Sequence, residues 1–285
     1  MNRRIFIRNF ILGGLALPPL TLGAAYAQAM SFEISKHQLK LKHLEQPLRI
    51  AHLTDLHFGG GHGLEQVQAW VAATLKEQPD LVLLTGDLVH GDAFDTHGKK
   101  GYAMLEALAA ALEPLSNVPL GAYAVLGNHD YALRWSGAAQ ISDLIRNLEA
   151  NGIPMLINTG QSLRKDLYLG GVDDFWYGTV NSRAAIAQAK ENQAVLLMSH
   201  NPDILPKLSS RVSLMLSGHT HGGQVRIPGI GALASVTRYG ERYQQGFIQE
   251  TALGFVSRGL GTGTIIPIRL FCPAEMVILE CSPIL

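Results

Sequence analysis

Short uninterrupted apolar runs recur along the chain at Leu48–Leu53, Leu81–Thr85, Ala122–Leu126, Leu167–Val172, Ala194–Ser199 and Leu214–Ser217, each with the length and flanking turn residues of a buried strand. Between them the period lengthens to that of a helix. Leu64, Val67, Val71 and Leu75 share one face, as do Tyr102, Leu105, Ala109 and Leu112, and then Ile141, Leu144, Ile145 and Leu148, with Gly152 placed to end the third helix. Strand, helix, strand in repetition predicts an α/β fold, a mostly parallel sheet with helices on its faces. From Gly223 onward the apolar pieces are separated by Gly and Pro, which predicts antiparallel strands closing a second sheet or an edge. No composition break or repeat divides residues 31–285, so they are expected to form a single domain.

Residues 1–30 follow another logic. Arg3, Arg4 and Arg8 precede an apolar run from Phe10 to Ala25, and Ala25-Tyr26-Ala27 offers a small-residue cleavage site, the build of an export signal. Gly13, Gly14, Pro18 and Pro19 interrupt the run, which makes a retained N-terminal anchor the second reading. The order Asn2-Arg3-Arg4-Ile5-Phe6-Ile7 resembles the twin-arginine signal of proteins exported already folded. Both readings place the rest of the chain outside the cytoplasm: periplasmic, in the cell envelope, or on the outer face of the cytoplasmic membrane.

Composition narrows the partners. The chain is long enough, at 285 residues and 47% apolar, to bury a large core, while its 23 basic residues are balanced by 23 acidic ones. Such a chain has no basic stripe for a phosphate backbone, and no nucleic-acid partner is expected. Cys272 and Cys281 lack the spacing of a thiolate metal site; they could bridge in an oxidising compartment, but packing as small apolar residues is the preferred reading.

The chemistry sits at the strand ends. Asp55-Leu56-His57, Gly86-Asp87, Gly127-Asn128-His129-Asp130, Ser199-His200-Asn201 and Gly218-His219-Thr220-His221-Gly222-Gly223 each place nitrogen or oxygen donors just after an apolar run. Parallel strands open their carboxyl ends toward one crevice, so these donors converge, and there are enough for two divalent cations. Asp55 with His57, and His219 with His221, are spaced to chelate, and Asp87 could bridge two ions. Singly, each segment also reads as a structural histidine or a turn; the ordered set of five does not. No Gly-x-Ser-x-Gly elbow and no cysteine in a ligand-bearing loop leaves room for a serine or cysteine hydrolase.

Asp-x-His, Gly-Asp, Gly-Asn-His-Asp, a later His and Gly-His-x-His, in that order from about Arg49 to Glu280, resemble the calcineurin-like metallophosphoesterases. Ser199-His200-Asn201-Pro202-Asp203, Gly218–Gln224 and Arg258-Gly259-Leu260-Gly261 are similar to a branch of exported bacterial phosphodiesterases related to a UDP-2,3-diacylglucosamine pyrophosphatase. The resemblance implies a four-layer sandwich, two mixed β-sheets flanked by helices. It assigns Asp55, His57 and His221 to one metal, Asn128, His200 and His219 to the other, and Asp87 to both. His129 would face the scissile phosphate as a catalytic residue that stabilises or protonates the leaving oxygen. Some relatives orient this histidine with an acid three residues after the bridging aspartate; here that position is His90, with Asp92 and Asp130 as substitutes.

The implied reaction is in-line attack by a metal-bridging hydroxide on a phosphate ester. Two divalent ions, less Asp55, Asp87 and the hydroxide, leave a net charge of about plus one facing the substrate, which suits a phosphodiester. Mixed oxygen and imidazole donors suit manganese, iron or zinc. The expected partner is a small phosphate-ester or phospholipid-like substrate. A glycolipid pyrophosphatase of the lipid A type is the alternative, and a non-catalytic metal-stabilised scaffold is the reading from another class. Arg258 could clamp a phosphate oxygen or form a surface ion pair, and Arg269 is weighed the same way. Phe175-Trp176-Tyr177 could pack in the core or touch a membrane surface, and His62 and His97 are expected to be solvated or to support the ligands.

Overall fold

The computed structural model describes residues 19–91, 99–133, 141–264 and 266–284. Its elements, in chain order, are α1 (Pro19–Met30), β1 (Phe32–Leu41), β2 (Leu48–Leu53), α2 (Leu64–Lys76), β3 (Leu81–Thr85), α3 (Lys99–Leu112), β4 (Ala122–Val125), α4 (Asn128–Tyr131), α5 (Ile141–Ala150), β5 (Thr159–Arg164), β6 (Leu167–Gly171), α6 (Ser182–Ala185), β7 (Ala194–Met198), β8 (Leu214–Ser217), β9 (Arg226–Ile227), β10 (Gly231–Ala232), β11 (Gly246–Gln249), β12 (Leu253–Val256) and β13 (Ala274–Pro283). The six apolar runs are all strands, and the three periodic faces fall on α2, α3 and α5. Gly152 follows α5 with φ of 77°, the left-handed backbone that ends a helix.

The strands form two large mixed sheets rather than one parallel sheet. The first has the order β1-β13-β2-β3-β4 and the second β11-β12-β8-β7-β6-β5. Within the first, β2, β3 and β4 run parallel, as do β6, β7, β8 and β12 in the second. The expectation for the tail needs correction. β11 does pair antiparallel with β12 at the edge of the second sheet, but β13 inserts into the first, parallel to β1 and antiparallel to β2.

Period-two alternation along these strands builds the layers. Ala51, Leu53, Val82 and Leu84 face α2, α3 and α5, where Val67, Trp70, Leu105, Ala109, Leu112, Leu144 and Leu148 close one core. Their alternates Ile50, Leu81 and Leu83 face the other sheet and meet Leu169, Leu196, Met198 and Leu216. Val195, Leu197 and Met215 line the outer face of the second sheet, under Ile204, Leu205 and Tyr243. Strands buried on both faces have no polar alternation, which is why β3 and β7 read as continuous apolar runs.

Two local features bear on the rest of the molecule. α1 lies against the body: Ala25 and Ala29 are buried, the Ala25 carbonyl accepts the Arg269 N–H at 2.9 Å, and the Met30 carbonyl accepts from Gln66. The Ala25-Tyr26-Ala27 site thus lies inside a docked helix. Among the described residues no helix is long and apolar enough to cross a membrane. His52, buried between the sheets with Nε2 2.7 Å from the Thr85 hydroxyl, has its pKa pushed down to about 4 by burial, a shift that Glu275 partly opposes. Above pH 6.5 His52 is neutral in both states; as pH falls from 6.5 toward 4, the unfolded chain takes up a proton that the folded one refuses. Stability should therefore fall across that window by about 3 kcal/mol from this group. Denaturant midpoints measured from pH 7 to 4.5 should show a shallower acid loss in His52→Leu than in the parent chain; parallel curves would contradict the assignment.

Candidate metal centre

The donor-bearing loops leave the carboxyl ends of β2, β3, β4, β7 and β8, so strands of both sheets deliver residues to one point. Asp55, His57, Asp87, His219 and His221, five of the seven residues expected as ligands, sit at positive φ between 47° and 72°. Non-glycine residues avoid that region, and each such position costs about 1–3 kcal/mol that surrounding contacts must offset. The contacts are visible. The backbone N–H of Asp55 donates to the Gly86 carbonyl at 3.0 Å, and that of His57 to the Asp87 carbonyl at 2.9 Å. Gly127 and Gly218 admit the close approach: a Cβ at 127 would lie 2.3 Å from the Asp87 carboxylate and backbone, and one at 218 would lie 2.1 Å from an Asp55 oxygen.

Beside a trio of His57, His90 and His129, two groups of donors converge around Asp87. In the first, His57 Nε2 and His221 Nε2 are 3.0 Å apart, and Asp55 Oδ1 lies 3.3 Å from His221 Nε2 and 3.9 Å from His57 Nε2. In the second, His200 Nε2 is 3.2 Å from each of Asp87 Oδ2, Asn128 Oδ1 and His219 Nδ1. Asp87 Oδ2 also approaches His57 Nε2 at 3.5 Å, which places this one carboxylate between the groups. Separations near 3 Å are those of neighbouring ligands about 2.1 Å from a shared ion. All of these residues are buried. Carboxylate, amide and imidazole donors gathered this closely suit a cation, so the residues fit two divalent metals.

The surroundings orient the ligands. The His200 ring presents Nδ1 to the Thr85 carbonyl at 2.9 Å, so Nδ1–H donates and Nε2 is left as an acceptor toward the centre. The Asp55 carboxylate accepts the His219 backbone N–H at 3.0 Å and the Thr54 hydroxyl at 2.9 Å, and Asp87 Oδ1 accepts the His129 backbone N–H at 2.7 Å. Burial holds His57, His219 and His221 well below the usual histidine range, hence neutral and able to coordinate. Burial alone would raise Asp87 and lower His200; their mutual attraction reverses both, so Asp87 is held well below its ordinary value and His200 is pushed up to about 10. Without metal, a proton on His200 stands where a cation belongs.

The remaining expectations divide. The His129 ring packs on His57 and on His90, with centroids 4.7 Å away in each case, and its Nδ1 is buried without a hydrogen-bond partner. Asp130 does not orient it: that carboxylate accepts the backbone N–H groups of Gly127 and Val89 at 2.8 and 3.0 Å. His90, at the expected acid position, stacks on His129 and places Nδ1 3.1 Å from His57 Nδ1; Asp92 and His97 lie outside the described residues. Of the two readings of Arg258, phosphate clamp or surface ion pair, its contacts describe the second: the guanidinium is held by Glu275 at 2.7 Å and by Glu33. Arg269, the other candidate, is fully buried. It donates to the carbonyls of Arg258, Gly259 and Gly261 at 2.7–3.1 Å, and Nη2 lies 3.4 Å from His221 Nδ1. Trp176 is exposed and edge-on to the His219 ring at 4.4 Å, so it borders the centre instead of filling the core. His62 is buried beside Trp70, and both cysteines are free and buried.

Comparison with known proteins places the chain in a family. Residues 48–223 match the family model described as calcineurin-like phosphoesterase. The chain is 28% identical to the uncharacterised metallophosphoesterase YkuE of Bacillus subtilis, over 98% of this chain and 96% of that one. It is 29% identical to the phosphodiesterase YaeI of Escherichia coli, over 90% of each, and 29% identical to an uncharacterised metallophosphoesterase of Aquifex aeolicus, over 90% of this chain and 95% of that one. The chain belongs to the calcineurin-like phosphoesterase family and is a hydrolase of phosphate esters.

Proposed function

We propose that the protein is a two-metal phosphodiesterase acting outside the cytoplasm. Asp55, His57 and His221 hold one ion, Asn128, His200 and His219 the other, and Asp87 joins them. The position of Asp87 carries this reading, with its Oδ2 3.2 Å from a ligand of one group and 3.5 Å from a ligand of the other. Divalent ions held there supply Lewis-acid charge and lower the pKa of water from 15.7 to about 7, worth about 12 kcal/mol of ionisation. The chain's own residues do the rest. The buried carboxylates leave the centre a net positive charge that draws an anionic diester, and His129, against His57 at the same centre, is placed to meet a leaving oxygen. Exposed Trp176 offers a flat wall beside His219 for the leaving group.

The diester preference is supported by the phosphodiesterase named among the relatives, and export by the arginine-led apolar segment at residues 3–25. The test is to assay the full chain, supplied in turn with manganese, iron and zinc, against bis-p-nitrophenyl phosphate, p-nitrophenyl phosphate and a UDP-linked glycolipid. The diester should turn over faster than the monoester, and chelation followed by dialysis should abolish hydrolysis until metal is restored. Turnover that survives removal of metal would overturn the reading, and preference for the glycolipid would move it to a pyrophosphatase.

A further inference from the structure

Three segments near the metal centre are almost free of charge and put large apolar side chains at the surface. Pro19–Met30 contains no charged residue; residues 225–234 contain only Arg226, which is paired with Glu241; residues 259–273 contain only Arg269, which is fully buried. From them project Ile230 at 75% exposure, Ile266 at 71%, Phe271 at 60% and Leu233 at 58%, with Leu22, Tyr26 and Ile227 also exposed. Scattered apolar residues on a surface are ordinary, but the segments that carry these are tied to one another. Arg226 N–H donates to the Leu270 carbonyl and Leu270 N–H to the Gln224 carbonyl, which ties the β9–β10 hairpin to the strip leading into Phe271. Arg269 N–H donates to Ala25, and Cys272 N–H to the Gln28 side chain at 3.4 Å, which ties α1 to the same strip.

This face borders the site. A Cβ on Gly263 would lie 3.2 Å from His221 Nε2, and Gly263 N–H is held by Gln224, so within three residues the chain passes from the wall of the centre to exposed Ile266. The hairpin follows His221 just as directly, with the Arg226 side chain donating to the Gly222 carbonyl at 2.8 Å.

The geometry points to a bilayer-contact face: Ile230, Leu233, Ile266 and Phe271 enter one leaflet of a phospholipid membrane and set the mouth of the metal centre at its headgroups. The occupant is indicated by the chain that leads into this face. The apolar residues from Phe10 to Leu17 and the basic Arg3, Arg4 and Arg8 run directly into α1, which is docked here through Ala25 and Gln28. A segment of that composition belongs in or on a membrane, and its attachment brings the face to the same surface. The substrate is then a phosphate ester carried on a lipid and drawn from the headgroup layer. That last step rests on the phosphodiesterase reading; the membrane contact does not.

Cys272 and Cys281 are buried, so a single added cysteine can be labelled with an environment-sensitive fluorophore. The full chain carrying Ile230→Cys, Ile266→Cys or Ile284→Cys is labelled and mixed with phosphatidylcholine–phosphatidylglycerol vesicles. Ile284 is exposed at the far end of β13 and serves as the reference. Labels at 230 and 266 should shift to the blue and brighten several-fold, and the label at 284 should not change. Replacing Ile230, Leu233, Ile266 and Phe271 together with serine should weaken vesicle binding by about tenfold or more and leave turnover of bis-p-nitrophenyl phosphate unchanged. Labels at 230 and 266 that stay unchanged, whether the chain binds vesicles or remains free, would overturn the inference. So would an equal response at 284, or labels already shielded in buffer by self-association. Because the fluorescence needs no turnover, loss of hydrolysis and loss of membrane contact are separately visible.

Discussion

Asp87→Asn should release both ions and reduce diester hydrolysis by about 10⁴-fold or more. The side chain keeps its size but loses the charge that lies between the two donor groups, so neither retains its shared ligand. Losing even half of the roughly 12 kcal/mol that the ions contribute to ionising water corresponds to about four orders of magnitude in rate. Asp87 Oδ1 also accepts the His129 backbone N–H, so circular dichroism should be recorded beside the metal analysis to show that the loop after β4 survives. A variant that still holds two ions per chain, or keeps most of its activity, would contradict the bridging role.

His129→Ala should behave differently. Its ring packs on His57 and His90, with which it forms a donor trio apart from the two groups that Asp87 joins, so metal content in those two groups should stay near that of the parent. Removing a proton donor to the leaving oxygen should lower the rate by about 10²- to 10⁴-fold, or roughly 3 to 5 kcal/mol. The loss should be smallest for esters with acidic leaving groups, which depart without help, and largest for alkyl esters. A uniform loss across leaving groups would point instead to a disturbed His57, and equal depletion of metal in both variants would show that the division of roles is wrong.

Much of this molecule was legible in the sequence because it is local. Strand ends such as Thr85-Gly86-Asp87 carry both the apolar run and the donor that follows it, so the converging loops could be read before the sheets were known. What escaped is non-local. β1 gave no clean signal because its two sides serve different layers: Phe32 packs on the helix side, Leu39 and Leu41 on the side between the sheets, and the alternation slips where one role passes to the other. The two mixed sheets were legible only through the resemblance that the motifs carry; the apolar runs themselves do not show which strand joins which sheet, since strands buried on both faces look alike in either. Arg269 escaped for a related reason. An arginine that wraps carbonyls of its own neighbourhood and lies beside His221 has the same sequence context as one that points to solvent. Arg258, open in the sequence to a phosphate clamp or an ion pair, is paired with Glu275 and Glu33, partners 17 and 225 positions away that its local context does not reveal.

β13 separates β1 from β2, and the Ser35 hydroxyl meets Glu275 across 240 positions of chain. The first sheet therefore stays in two unjoined parts until residues 274–283 insert between them, and until then the loop bearing Asp55 lacks its final support. Closing that sheet is a long-range step, the kind that slows folding and comes after the local helices have formed.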